Sequence, residues 1–226
     1  MASQTDVNPQ SAIRNPQFPE RILVVLPNWF GEVLFATPLL RAIHQAAPHA
    51  SLAALGVPRT REVLEHNPDV QAFVTYDERG AHRTWRGKRT LIAQLRQRRF
   101  DAAIILRRSL SRTLLVVFAG IPRRIGFANL KSGWLLTHRV TSPRGPTHKA
   151  QAYLRLLEPF GLPHAEGSYT YYVSDAERAQ ADTVLRQRGH TDSRPLIVLH
   201  AGANWAHKRW PTERFAELAT RLARQA

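Results

Sequence analysis

Short apolar runs, each closed by a turn signal and followed by a helically spaced stretch, constrain this chain more than any other feature. "RILVVL" at residues 21–26 is bounded by Pro27 and Gly31, as a buried parallel strand would be. Over residues 32–44, Val33, Leu34, Leu39, Leu40 and Ile43 fall at helical intervals, and Pro38 fits only in a first turn or at a kink. "ASLAALG" (50–56), "VQAFVTY" (70–76) and "DAAIIL" (101–106) read as further strands, with helices expected over 60–66 and 90–99. This alternation predicts an α/β fold with a parallel sheet, whose ligands sit beyond the carboxyl ends of the strands.

The pattern restarts near the C-terminus. "LEPFGLP" (157–163) ends a helical stretch, "SYTYYV" (168–173) leads to a helix near Asp175, and "RPLIVLHAGANW" (194–205) repeats the opening order of strand and small-residue turn. A helix follows from about Thr212, whose hydroxyl is expected to cap the first turn. One strand and one helix do not cover both faces of a sheet, so this second unit is expected to be cut off. The expected organisation is a disordered tail at 1–20, a first unit at 21–165, and a linker with the start of a second unit at 166–226.

Composition narrows the partners. With 226 residues, 43% of them hydrophobic, the chain can bury a core, and no apolar run is long enough to span a bilayer, so a soluble protein is expected. The absence of cysteine excludes disulfides and thiolate metal sites. The formal charge is +15, and residues 79–149 hold seventeen Lys and Arg against Asp101 alone. Such a field concentrates polyanions: nucleic acid, an acidic membrane surface or a phosphorylated substrate. Phe100 and Phe118 lie in apolar periodic runs and are expected in the core, which weakens a nucleic-acid reading that would use them for stacking.

Three blocks, "LPNWFGEVLFATPLLRAI", "FDAAIILRRSLSRTLLVVFAGIPRRIGF" and "PLIVLHAGANWAHKRWPTERFAELA", resemble the family 9 glycosyltransferases, and within them the lipopolysaccharide heptosyltransferase II group. The resemblance implies a GT-B fold, with a complete N-terminal Rossmann-like domain and only the start of the C-terminal one. It implies inverting transfer of heptose from ADP-heptose to the acidic lipopolysaccharide inner core, without an essential metal or cofactor. The expected place is the cytoplasm, at the inner face of the bacterial inner membrane, with peripheral membrane contact. The family's Asp-Ser/Thr-Gly-x-x-His block is not found here, and the chain is expected to be a fragment without transfer activity of its own. A basic nucleic-acid-binding protein and a non-catalytic acceptor-binding remnant are the alternatives.

Glu32 lies in the turn after the first strand, at the start of a helix. The position suits a favourable first-turn charge, worth at most about 1 kcal/mol. It also suits a base that removes the acceptor hydroxyl proton. The resemblance implies the second role, with Glu in place of the family's usual Asp. In "AGANWAHKRW", Gly202, Ala203 and Asn204 form a turn able to offer backbone N–H groups to a diphosphate, and Lys208 adds a positive charge. The resemblance makes these four the donor-binding residues. Trp210 is expected as a core anchor, and His200 and His207 lack a carboxylate at metal-ligand spacing. For an acidic acceptor the candidates are Arg83, Arg86 and Lys88 around Trp85, Arg107, Arg108 and Arg112 after the strand at 101–106, and Arg124.

Overall fold

The computed structural model describes residues 18–162, 168–191, 193 and 195–224. It divides into two compact units, residues 1–172 and 173–226. The sequence divides them earlier, after residue 165.

In the first unit six parallel strands form one sheet: β1 (Arg21–Val25), β2 (Ser51–Gly56), β3 (Ala72–Thr75), β4 (Ala102–Ile105), β5 (Arg123–Phe127) and β6 (His138–Val140). Their order is β3-β2-β1-β4-β5-β6. Leu23 of β1 lies opposite Ala53 of β2 and Ala103 of β4. Alternate residues of β1 serve two cores. Ile22 and Val24 pack with Leu39, Leu40 and Ile43 of α2 (Thr37–Ala46) and with Tyr153 and Leu154 of α5 (Lys149–Leu154). Leu23 and Val25 pack with Leu91 and Leu95 of α3 (Trp85–Gln97) and with Leu115 and Val116 of α4 (Leu110–Phe118). Both faces are covered, which is why β1 and β4 read as continuous apolar runs rather than as alternations.

The helix expected over 32–44 is two helices. A five-residue α1 (Phe30–Leu34) ends at Phe35, and α2 starts after Ala36 with Pro38 in its first turn, where a missing N–H costs nothing. The stretch at 60–66 is a 3-10 helix, Pro58–Leu64, started by its proline. α3 begins at Trp85, ahead of the expected 90, because Thr84 Oγ1 accepts the Gly87 N–H and caps it there. After α5 the chain tightens into a 3-10 turn that stops at Gly161, whose φ of 71° is left-handed.

Of the tail expected at 1–20, residues 1–17 lie outside the described residues. Phe18 packs on Phe160 with ring centroids 5.1 Å apart, and Pro19 is buried, so residues 18–20 belong to the folded unit and not to the expected tail.

The strand order places the reversal of winding between β1 and β4. Chain leaving β1 goes to β2 on one side, and chain leaving β4 goes to β5 on the other. The loops after β1 and β4 therefore splay apart at their carboxyl ends and leave a crevice.

The second unit holds α6 (Asp175–Gln187), a 3-10 turn at Ala206–Lys208 and α7 (Thr212–Ala223). A reciprocal box caps α6: Ser174 Oγ accepts the Glu177 N–H and Glu177 accepts the Ser174 N–H. Thr212 does not cap α7; Pro211 holds the cap position and no side chain bonds there. The strand expected in "RPLIVLH" is absent among the described residues, and Leu196, Ile197, Val198 and Leu199 are all exposed. A strand exists through its ladder partners, and no described segment pairs with this one. Trp210, expected as a core anchor, is half-exposed and meets the Phe215 ring edge-on at 5.1 Å.

Candidate active site

Glu32 is the third residue of α1, one short turn beyond β1, and its side chain is 27% exposed. Its Oε1 accepts a hydrogen bond from Lys149 Nζ, at the first residue of α5. Lys149 and Tyr153 are four residues apart on one face of that helix, so both reach the same space. Burial, and secondly the charge of Glu32, push the Tyr153 phenol far above its ordinary range. It stays a neutral hydroxyl throughout the neutral range.

Glu32, Lys149 and Tyr153 line a cavity of about 480 Å³ together with Arg107, Arg108 and Ser142. Arg107 and Arg108 come from the loop after β4, so the cavity occupies the crevice that the strand order creates. Arg108 donates to Ser142 Oγ, and its guanidinium lies 5.9 Å from the Phe127 ring centroid. One carboxylate faces three cations here, an arrangement that takes an anionic ligand while keeping a proton acceptor within it.

The remaining acceptor candidates lie elsewhere. Arg112 is 1% exposed and turned inward from α4. It donates to the Leu26 carbonyl and to Asn28 Oδ1 and sits 3.6 Å from the Glu78 carboxylate, with the Tyr76 ring 5.5 Å away. Burial pulls its guanidinium below the usual value while Glu78 opposes that shift. It ties the ends of β1 and β3 together from inside and presents nothing to a ligand. Arg124 spends its guanidinium on the carbonyls of Leu135 and Ile121, at 2.7 and 2.8 Å, near the amino end of β5 and so at the opposite ends of the parallel strands from Glu32. Arg83, Arg86 and Lys88 are on or just before α3, outside the Glu32 cavity. Phe118, expected in the core, is 44% exposed at the last residue of α4.

In the second unit, Gly202, Ala203 and Asn204 precede the 3-10 turn that ends in Lys208. Arg209 Nε donates to the Ala203 carbonyl at 2.7 Å and folds the loop back on itself. The Lys208 N–H is already bonded to the Trp205 carbonyl at 2.9 Å, so Lys208 offers its side chain rather than its backbone.

Sequence reasoning missed Lys149, Tyr153 and Ser142. Lys149 is one of seventeen cations in residues 79–149, and the one local signal that sets it apart is Tyr153 at i+4.

Residues 88–226 match the family described as "Glycosyltransferase family 9 (heptosyltransferase)". The chain belongs to glycosyltransferase family 9. Lipopolysaccharide heptosyltransferase 2 of Escherichia coli (strain K12) is 28% identical over 211 residues, covering 89% of this chain and 60% of that protein. The enzyme of the same name from Salmonella typhimurium is 26% identical over the same shares. Among solved structures, the family 9 glycosyltransferase of Veillonella parvula superposes with a TM-score of 0.83 at 26% identity, covering 91% of this chain and 60% of that one. The E. coli ADP-heptose lps heptosyltransferase II superposes with a TM-score of 0.69 at 25% identity, over 91% and 62%. This family 9 chain thus spans about 60% of the length of the curated relatives it matches, and its fold is α/β of the GT-B type.

Proposed function

We propose that the chain serves an inverting heptosyltransferase, which moves heptose from ADP-heptose to the acidic inner core of lipopolysaccharide. The observation that carries this reading is the placement of Glu32 in one cavity with Arg107, Arg108 and Lys149. The cations attract the acceptor's phosphates or carboxylates and orient the sugar. Glu32 removes the proton from the attacking hydroxyl as its oxygen bonds the anomeric carbon and the bond to the ADP oxygen breaks. Tyr153, neutral and lining the same cavity, supplies a hydroxyl without adding charge. Gly202, Ala203, Asn204 and Lys208 take the diphosphate, and the Lys208 ammonium balances the charge that grows on departing ADP. In this reading no metal and no cofactor takes part. The reaction belongs in the cytoplasm at the inner membrane, and no helix among the described residues is long and apolar enough to cross that membrane.

Mass spectrometry of the acceptor tests the proposal. Heptose-deficient inner-core oligosaccharide is incubated with ADP-heptose and a chelator, using this chain both alone and joined to the part of the E. coli relative that it does not cover. The expected result is acceptor heavier by one heptose with Glu32 present, and a rate lower by about 10²-fold with Glu32→Gln. Transfer at an unchanged rate by Glu32→Gln would remove Glu32 from the chemistry.

A further inference from the structure

We propose that the outer surface of α3 and α4 docks on a bilayer carrying anionic phospholipid. Unlike an ordinary surface helix, α4 turns its one charged residue, Arg112, inward, where it is buried. Its outward row is apolar: Leu110 is 42% and Phe118 44% exposed, with Leu114 and Val117 half-buried between them. Next to this row stands Trp85, 59% exposed, whose ring meets Phe118 edge-on at 6.2 Å. The 3-10 turn Gly133–Leu135 packs on α4 and carries the exposed Trp134.

The neighbouring helix supplies the charge. α3 presents Arg86, Arg89 and Arg96 outward, and neither α3 nor α4 contains an acidic residue. Arg96 Nε donates to the Phe118 carbonyl at 2.8 Å, so cation and aromatic are fixed side by side. Trp85, Arg86, Arg89, Arg96 and Phe118 line one open groove of about 700 Å³.

An apolar row with tryptophan at its edge and arginines beside it matches the layering of a membrane surface. Apolar side chains enter the acyl boundary, indole rings settle at headgroup depth, and guanidinium groups meet lipid phosphates. Charge complementarity selects the lipid, because a patch with three arginines and no acid gains little from a neutral surface. A nucleic-acid backbone would satisfy the arginines but leave Leu110, Leu114 and Val117 in water. The inference does not depend on the transfer reaction, and its test contains neither heptose donor nor acceptor.

The 226-residue chain is floated with vesicles of phosphatidylcholine alone and of phosphatidylcholine with phosphatidylglycerol, at low and at high salt. The chain is expected to rise with the anionic vesicles and to stay behind with the neutral ones. Reversal of both Arg86→Glu and Arg89→Glu should lower partitioning by ~10-fold or more at low salt. Phe118→Ser, and independently Trp85→Ala, should lower it at both salt concentrations. Circular dichroism checks that each variant is folded. Equal binding to both vesicle types, or binding that ignores all these changes, would overturn the proposal. So would an absence of vesicle binding, whether accompanied by duplex DNA retention sensitive to the reversal or by a dimer that Phe118→Ser dissociates.

Discussion

Lys149 Nζ donates a hydrogen bond to Glu32 Oε1 across 117 positions of sequence, joining α5 to the first turn after β1. Lys149 is 49% exposed, so water screens the pair and its contribution to stability is small, about 0–1 kcal/mol. Its consequence is geometric: it orients the carboxylate into the cavity. A double-mutant cycle of Lys149→Met and Glu32→Gln in urea denaturation should give a coupling energy below about 1 kcal/mol. A larger coupling would make the pair a structural clamp rather than a poised site.

If Glu32 is the base, removing its charge and shortening its reach should separate cleanly. Glu32→Gln keeps the size and loses the proton acceptor; turnover should fall by roughly 10²-fold with little change in ADP-heptose affinity. Glu32→Asp keeps the acceptor and should retain turnover, or raise it. Rates from single-turnover transfer, beside donor affinity from calorimetry, provide the check.

Arg112 behaves differently from its neighbours in sequence. Truncation to Ala would leave the Leu26 carbonyl, Asn28 Oδ1 and the Glu78 carboxylate without their shared donor inside the protein. Glu78 is partly exposed and keeps the Asn28 amide as a donor, so the main cost is the buried Leu26 carbonyl left unsatisfied, about 1–3 kcal/mol. Arg112→Ala should therefore lower the urea midpoint markedly, whereas Arg107→Ala should leave it almost in place.

That contrast marks what the chain discloses by itself. β1 and β4 were legible because parallel strands covered on both faces read as unbroken apolar runs. β5, "RRIGF", and the edge strand β6, "HRV", escaped notice because polar residues fill much of each. Periodicity marks Phe118 as apolar but does not say that the outer row of α4 is apolar too. Arg107 and Arg112 are the same residue five positions apart; one belongs to a loop at the crevice and the other turns inward on a helix, which only the start of α4 at Leu110 decides. Glu32 was visible as a carboxylate after a strand, while its partner Lys149 needed the fold to arrive beside it.

Charge reversal at the cavity reads the acceptor side of the proposed function. Arg107→Glu with Arg108→Glu should raise the acceptor KM and its dependence on salt, and leave ADP-heptose affinity nearly unchanged. An acceptor KM equal to the unaltered protein's would return both arginines to the solvated surface.

Tyr153 provides a pH signature that belongs to this cavity. Burial first, then the negative charge of Glu32, push its phenol up when the chain is folded. At pH 8 the phenol is protonated in both the folded and the unfolded chain, so stability there does not depend on it. Above about pH 10 the unfolded chain loses the proton while the folded chain keeps it. The folded state then binds more protons than the unfolded one, and stability falls as pH rises, by up to about 1.4 kcal/mol per pH unit for one group. The Tyr76 phenol is pushed up too, by burial and then by Glu78, so two tyrosines share the alkaline limb. Tyr153→Phe removes one of them. Urea denaturation from pH 8 to pH 11 should show a shallower decline for the variant, with both proteins within about 1 kcal/mol of each other at pH 8. An unchanged slope would mean that Tyr153 ionises as readily in the folded chain as in the unfolded one, and that neither burial nor Glu32 acts on it.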